Sequence, residues 1–299
     1  MEKTTIVLAG ATGDLGERIL NSLLQQGAHV KALVRQESLP EKVNELQNAG
    51  AEISVVDFGS QASVAEACSG AACVVSALSG LREVIVEMQT VLLNAAVEAG
   101  VPRFIPSDFS IDFTKLPDGT NRNLDLRREF HQSLDKASIA ATTIFNGAFT
   151  ELLTGEMPVI LFKIKRILAW GNADQLFDFT TKDNTAAYTA AAALDSSTPR
   201  FLRVAGDQIS CRDLMAISSE VTGDQFRLLR PGGLGMLNIM IKVMRRLMPS
   251  SQALYPPWQG MQYMHNMCSG LAKLEPLDND RYPAIKWTAA RNVIASRSS

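Results

Sequence analysis

Apolar and polar positions fall into two rhythms along the first half of the chain. Thr5-Ile6-Val7-Leu8-Ala9 is an unbroken apolar run rich in β-branched residues that ends at a glycine, the pattern of a strand covered on both faces. Leu15, Ile19, Leu23 and Leu24 then recur at helical spacing, and Gly27 closes that helix. Similar short runs predict strands over 30–34, 53–56, 73–77, 103–106 and 142–145, with a long helix over 83–99 stopped by Gly100. Strands separated by helices need crossover connections, which are right-handed. The pattern therefore predicts an α/β fold built on a doubly wound parallel sheet.

Beyond residue 150 the rhythm changes. Strands are predicted over 177–183 and 201–205 with an alanine-rich helix over 186–194 between them, and Ser210 is placed to cap a helix carrying Leu214, Ile217 and Val221. The segment 233–248 is apolar and sets Met236, Met240, Met244 and Met248 four residues apart. Such a stripe either packs as core or lines an adaptable pocket for a flat apolar substrate, and Met236 and Met240 are the substrate-binding candidates. Tyr255-Pro256-Pro257-Trp258 punctuates the chain before one more helix.

Composition changes this picture only by exclusion. Hydrophobic residues make up 46% of the 299 positions, enough to cover both faces of a buried sheet. A net charge of −2 and an isoelectric point near 6.0 give no electrostatic case for nucleic acid or an anionic membrane. The local clusters Lys163-Ile164-Lys165-Arg166 and Arg245-Arg246 are short and read as solvated faces. No apolar run is long enough to span a bilayer, and the first residues lack the build of a secretory signal. The four cysteines are scattered, with no metal-ligand spacing to any histidine. A reduced, cytoplasmic setting without a metal site is the expectation.

Candidate chemistry begins where the first strand ends. Gly10-Ala11-Thr12-Gly13-Asp14-Leu15-Gly16 sits between a predicted strand and a predicted helix, the setting in which a glycine-rich loop cradles a pyrophosphate. Gly10 permits the turn, Gly13 lets the backbone approach the phosphates, and Gly16 lets helix pack on strand, while the helix N-terminus faces the negative charge. Residues 1–150 thus read as an NAD(P)-binding Rossmann domain and 151–299 as a smaller, discontinuous mixed α/β substrate lobe, with 177–205 returning to the Rossmann sheet. The second strand ends at Arg35, which suits the 2′-phosphate of NADPH better than the free ribose of NADH. Lys42 adds a second charge, whereas Glu37 offers a rival acid. Asp57, after the third strand, is placed either to contact adenine or to cap its loop.

Of the four tyrosines only Tyr282 has a lysine four residues on, Lys286, at the far end of the chain from the phosphate loop and outside the strand–helix alternation. The phosphate loop, Val34-Arg35, the run Val101-Pro102-Arg103-Phe104-Ile105-Pro106-Ser107-Asp108-Phe109 and Asn146-Gly147-Ala148-Phe149 instead resemble, in order and spacing, the NmrA-like, isoflavone-reductase-like atypical short-chain dehydrogenases. The resemblance spans roughly the first 220 residues. It implies NADPH held by Gly10, Ala11, Thr12, Gly13, Leu15, Gly16 and Arg35. It also implies that Ser76, Ala77 and Leu78 lie along the dinucleotide, that Ser107, Asp108 and Phe109 lie near the nicotinamide, and that Asn146, Gly147 and Phe149 flank the cofactor and substrate. Reductases of that group carry a lysine near the start of the helix after this motif. Counting back from Ile139 places Arg127 there. Arginine stays charged, so it would act as an electrostatic catalyst while water or Asp108 handles the proton.

Two functions are compatible with these residues. One is an NADPH-dependent reductase of a small apolar carbonyl, quinone or aromatic substrate. The other is a catalytically silent NADP(H)-sensing protein that signals through a regulatory protein partner. A homodimer is the expected assembly of such folds.

Overall fold

The computed structural model describes residues 3–155, 157–249 and 252–297. Its main sheet consists of β1 (Thr5–Ala9), β2 (His29–Val34), β3 (Glu52–Val55), β4 (Cys73–Ser76), β5 (Arg103–Ile105) and β6 (Ala140–Ala141). All pairs are parallel, in the order β3-β2-β1-β4-β5-β6. The connecting helices are α1 (Asp14–Gln25), α2 (Pro40–Asn48), α3 (Gln61–Cys68), α4 (Gln89–Glu98) and α5 (Arg122–Leu134).

The alternation of side chains along β1 explains the two layers of helices. Ile6 and Leu8 point into a core shared with Ile19, Leu20 and Leu23 of α1. Val7 and Ala9 point the other way, into a core with Val64 of α3, Leu92 of α4 and Phe130 of α5. The strand expected over 142–145 divides at Thr142. β6 closes the main sheet on β5, and β7 (Thr143–Phe145) continues as the parallel partner of β12 (Phe201–Arg203).

The remainder comprises β8 (Ala148–Phe149), β9 (Ile160–Leu161), β10 (Arg166–Trp170), β11 (Phe177–Thr180), α6 (Lys182–Leu194), β13 (Asp207–Ile209), α7 (Cys211–Thr222) and β14 (Arg227–Gly232), then α8 (Leu234–Leu247), α9 (Pro257–Cys268) and α10 (Ala290–Ser296). Two three-stranded sheets, β14-β10-β9 and β13-β11-β8, carry a third core around Phe177, Phe226 and Met264. α6 packs along α1, and its Tyr188 is buried in the same core as Ile6.

Four expectations need correction. The segment 177–205 does not return to the six-stranded sheet: β11 pairs with β8 and β13, and β12 with β7. The strand predicted over 177–183 stops at Thr180, because the Thr181 side chain accepts the Asn184 N–H and starts α6 four residues earlier than the alanine run suggests. The helix predicted over 83–99 opens as a π-helical segment, Glu83–Met88, before α4. The methionine stripe of α8 is not core: Leu237 and Ile241 form the buried face, and Met236 and Met240 are 51% and 38% exposed.

Candidate active site

The phosphate loop shows why two of its positions are glycine. Gly10 has φ +84, and a Cβ there would stand 2.6 Å from the Ala77 carbonyl oxygen. A Cβ on Gly16 would stand 2.0 Å from the Gly10 carbonyl oxygen, so α1 meets β1 at a distance only glycine allows. Gly13 occupies the N-cap of α1 in extended conformation without a capping side chain, and its N–H closes the turn onto the Gly10 carbonyl at 3.1 Å. Ala11 is buried beneath the loop, while Thr12 and Leu15 are half-buried. The first turn of α1 is left open to an anion from outside.

Polar atoms without partners gather at the neighbouring strand ends. Ser76 ends β4 with its hydroxyl buried and unbonded, and fully buried Asn146 follows β7 with neither side-chain atom hydrogen-bonded. Other unmet buried atoms belong to Asp108, Arg122, Thr150, Glu151, Ser218 and Gln259, but those of Ser76 and Asn146 lie at strand ends, where a dinucleotide crosses the carboxyl edge of such a sheet. This observation, with the loop, fits a bound dinucleotide. Ser107 fixes the approach: its hydroxyl donates to the Leu78 carbonyl at 2.6 Å and its N–H to Gln89 Oε1 at 2.9 Å.

Arg35 lies exposed at the end of β2, 3.5 Å from Glu37, at a recess of about 430 Å³ that Val34, Ser38, Pro40 and Val43 also line. Lys42 pairs with Glu45. Asp57 is engaged in its own turn, where Oδ1 accepts the Gly59 N–H at 2.7 Å and its backbone N–H reaches Ser63 Oγ at 3.3 Å. That is the loop-cap arrangement.

α5 begins at Arg122, with the Asn121 side chain accepting the Leu124 N–H as its cap. Arg127 is therefore in the second turn and not at the helix start, where Asn121, Arg122 and Asn123 stand. It is half-buried; Nε donates to the Ser107 carbonyl at 3.2 Å and Nη1 to the Asn123 carbonyl at 3.0 Å. Nη2 has no protein acceptor among the described residues. The first turn of α5 is instead tied to α9 by buried amides: Gln259 Nε2 donates to Asn121 Oδ1 at 2.6 Å, and the Arg122 N–H to Gln262 Oε1 at 3.2 Å.

Asp108 sits fully buried beyond the end of β5, and its Oδ1 has no hydrogen-bond partner among the described residues. Its other oxygen accepts from both His131 Nε2 at 2.6 Å and Thr143 Oγ1 at 2.8 Å. Arg200 Nη2 lies 3.3 Å from the other ring nitrogen of His131, Nδ1. Burial pushes the Asp108 carboxyl up, but the charge and hydrogen bond of His131, the charge of Arg127 and the Thr143 hydroxyl outweigh it and hold the pKa below the ordinary carboxylate value. Asp108 is thus a buried anion that orients the end of β5. Nothing in the sequence pattern announced His131 or Thr143 as its partners, since they lie 23 and 35 residues away along the chain.

Of the substrate candidates, Phe109 is 8% exposed and packs in the core of the main sheet. Gly147 has φ +70, and a Cβ there would stand 2.2 Å from the Asp178 carbonyl oxygen. Phe149 is half-buried, with the Lys182 ammonium 6.0 Å from its ring centroid. Lys182 also donates to Asp14 at 2.6 Å and so joins the first turn of α1 to the Asn146–Phe149 edge, a link only the fold creates. α9 contributes Tyr263. Burial pushes its phenol up to about 12, against the opposing charges of Arg127 and Arg122 and a hydrogen bond to Asn123. The buried cysteines are likewise pushed upward, to about 11 for Cys68 and Cys268 and about 12 for Cys73 and Cys211, so they remain thiols.

A glycine loop at a strand–helix junction, with unmet polar groups along the adjoining strand ends, defines a dinucleotide-binding protein of the Rossmann class. The chain belongs to the NmrA-like family, whose model matches residues 2–250. It is an isoflavone-reductase-like, NAD(P)-binding oxidoreductase in kind. Pinoresinol reductase 1 of Arabidopsis thaliana is 32% identical over 212 residues, covering 66% of this chain and 67% of that protein. The fold superposes on AtPrR2 with NADP+ and (+)pinoresinol at a TM-score of 0.84 and 21% identity, over 99% of both chains. It superposes on the NADPH-dependent quinone oxidoreductase QOR2 of Escherichia coli, complexed with NADPH, at a TM-score of 0.75 and 18% identity, over 97% of this chain and 99% of that one.

Proposed function

We propose that the protein is an NADPH-dependent reductase acting on a small apolar carbonyl, quinone or aromatic substrate. The carrying observation is the line of unmet polar groups at Ser76 and Asn146 beside a loop that only glycine can form. Gly10 to Gly16 would hold the pyrophosphate, Arg35 the 2′-phosphate, and Ser76 to Leu78, Ser107 and Asn146 the remaining length. NADPH supplies the hydride when bound there.

The chain's own residues do the rest. Arg127 is positioned by the Ser107 and Asn123 carbonyls and keeps Nη2 for an oxygen that gains negative charge, as an alkoxide or phenolate does. Tyr263 is within electrostatic reach of Arg127 and stays protonated at neutral pH, so it and water are the proton sources. Phe149 and Gly147 border the substrate, with Phe109 packed behind. Met236 and Met240 are turned to solvent and carry no part of this reading.

The test is NADPH oxidation, followed by absorbance, against a panel of quinones and aromatic aldehydes. Turnover is expected, with Arg127→Ala lowering kcat on the order of 100-fold while NADPH affinity holds. Tight NADPH binding without turnover on any substrate would favour a silent NADP(H)-sensing protein. One observation supports that rival: the start of α5 offers Asn121, Arg122 and Asn123 but no lysine.

A further inference from the structure

The net charge of −2 conceals a segregation of sign. From residue 225 to 274 there is no aspartate or glutamate, whereas Arg227, Arg230, Lys242, Arg245, Arg246 and Lys273 all fall within that stretch. α8 lies in its middle and carries two apolar stripes. Leu237 and Ile241 are buried, on a helix that packs against α9. Met236, Ile239, Met240, Val243 and Leu247 recur at i, i+3, i+4, i+7 and i+11, which places them along one side of the helix. Every member of this second stripe is exposed, Ile239 by 59% and Leu247 by 70%.

Lys242 and Arg246 lie three residues beyond Ile239 and Val243 and so flank the stripe. Neither they nor Arg245 form an ion pair with a carboxylate among the described residues. A contiguous apolar patch rimmed by unpaired cations is a contact surface, not ordinary exterior. Its chemistry selects the occupant. A second copy of α8 has no acid to answer Lys242 or Arg246, and nucleic acid has no use for five aliphatic side chains. An anionic bilayer satisfies both halves, since acyl chains take the stripe and headgroups take the cations. At 14 residues the helix is too short to cross a membrane, so it would lie in the plane of the surface.

We propose that α8 is a peripheral docking helix that seats this protein on the surface of an anionic membrane. The surface is independent of the reductase reading, which assigns no role to Met236, Ile239, Met240, Val243 or Leu247.

The test is flotation of the intact protein with vesicles of phosphatidylcholine alone, or of phosphatidylcholine containing a quarter phosphatidylserine. The protein is expected to float with the anionic vesicles only and to be released by high salt. The double variant Ile239→Glu/Val243→Glu and the double variant Lys242→Glu/Arg246→Glu should each cut the bound fraction about tenfold or more. NADPH affinity, read by protein fluorescence, should stay at the wild-type value in both, which establishes that they are folded. No flotation at low salt overturns the proposal, as does equal binding to neutral vesicles or binding that neither variant weakens. Sedimentation equilibrium supplies a further refutation. A dimer that Ile239→Glu/Val243→Glu converts to monomer, without any lipid binding, makes the stripe a seam between two copies.

Discussion

At the scale of the residue, the site rests on close approaches and on one buried charge. Gly16 has no room for a methyl group beside the Gly10 carbonyl, so Gly16→Ala must move the loop or the helix. The dissociation constant for NADPH, measured by fluorescence titration, is expected to rise on the order of tenfold or more, equivalent to about 1.4 kcal/mol. Asp108 is held charged by His131, Arg127 and Thr143 despite its burial. Removing that charge leaves His131 and Thr143 without their shared acceptor, and Asp108→Asn should cost about 3 kcal/mol at neutral pH. The sign of the pH dependence follows from the lowered pKa. The stabilisation is complete above the unfolded value, roughly 4, and is lost as pH falls through the lower folded value. Urea midpoints of the two proteins should therefore converge in acid, and a gap that stays constant with pH would refute the charge-based account.

At the scale of the element, local signals fixed helix starts well when a side chain could carry them alone. Ser210 accepts the Asp213 N–H at 3.1 Å and Asp213 returns a bond to the Ser210 N–H at 2.9 Å, a capping box at the start of α7. Ser210→Ala should lower stability by about 1 kcal/mol, read as a lower urea midpoint with NADPH affinity unchanged. Thr181 caps α6 in the same way, yet its signal was hidden by the apolar run Phe177 to Thr180, which extended the predicted strand across it. α5 shows the reverse case. A count along the chain put Arg127 near the helix start, and the Asn121 cap, which sets the first turn at Arg122, leaves it one turn further in. Counting cannot replace a cap, because loops absorb residues without changing the helix.

At the scale of the whole molecule, the boundary near residue 150 separates rhythms of sequence more than it separates folding units. Tyr188, Ala186 and Ala190 of α6 share one core with Ile6, Leu8 and Ile19, and β12 pairs with β7. A fragment of residues 1–150 therefore exposes the face of α1 that α6 covers. It is expected to bind NADPH far more weakly than the full chain and to unfold without a cooperative transition by circular dichroism. Full-length affinity in that fragment would contradict this. Charge shows the same dependence on scale: averaged over the chain it is near neutral, but the stretch around α8 holds cations alone.

The sequence by itself determined the parallel sheet and the glycine loop, because each depends on neighbours within a few positions of the chain. Periodicity reports which residues seek burial, and glycine spacing reports a turn. Only the tertiary structure decided which face of α8 is covered, because both of its stripes are apolar and helical period alone cannot rank them. The same holds for Asp108: its burial and its bond to His131 arise from contacts that the chain makes by folding back on itself. Lys182 meets Asp14 in the same manner, across 168 positions. Residue types and local spacing state what chemistry is available, and long-range packing settles which groups are left free to perform it.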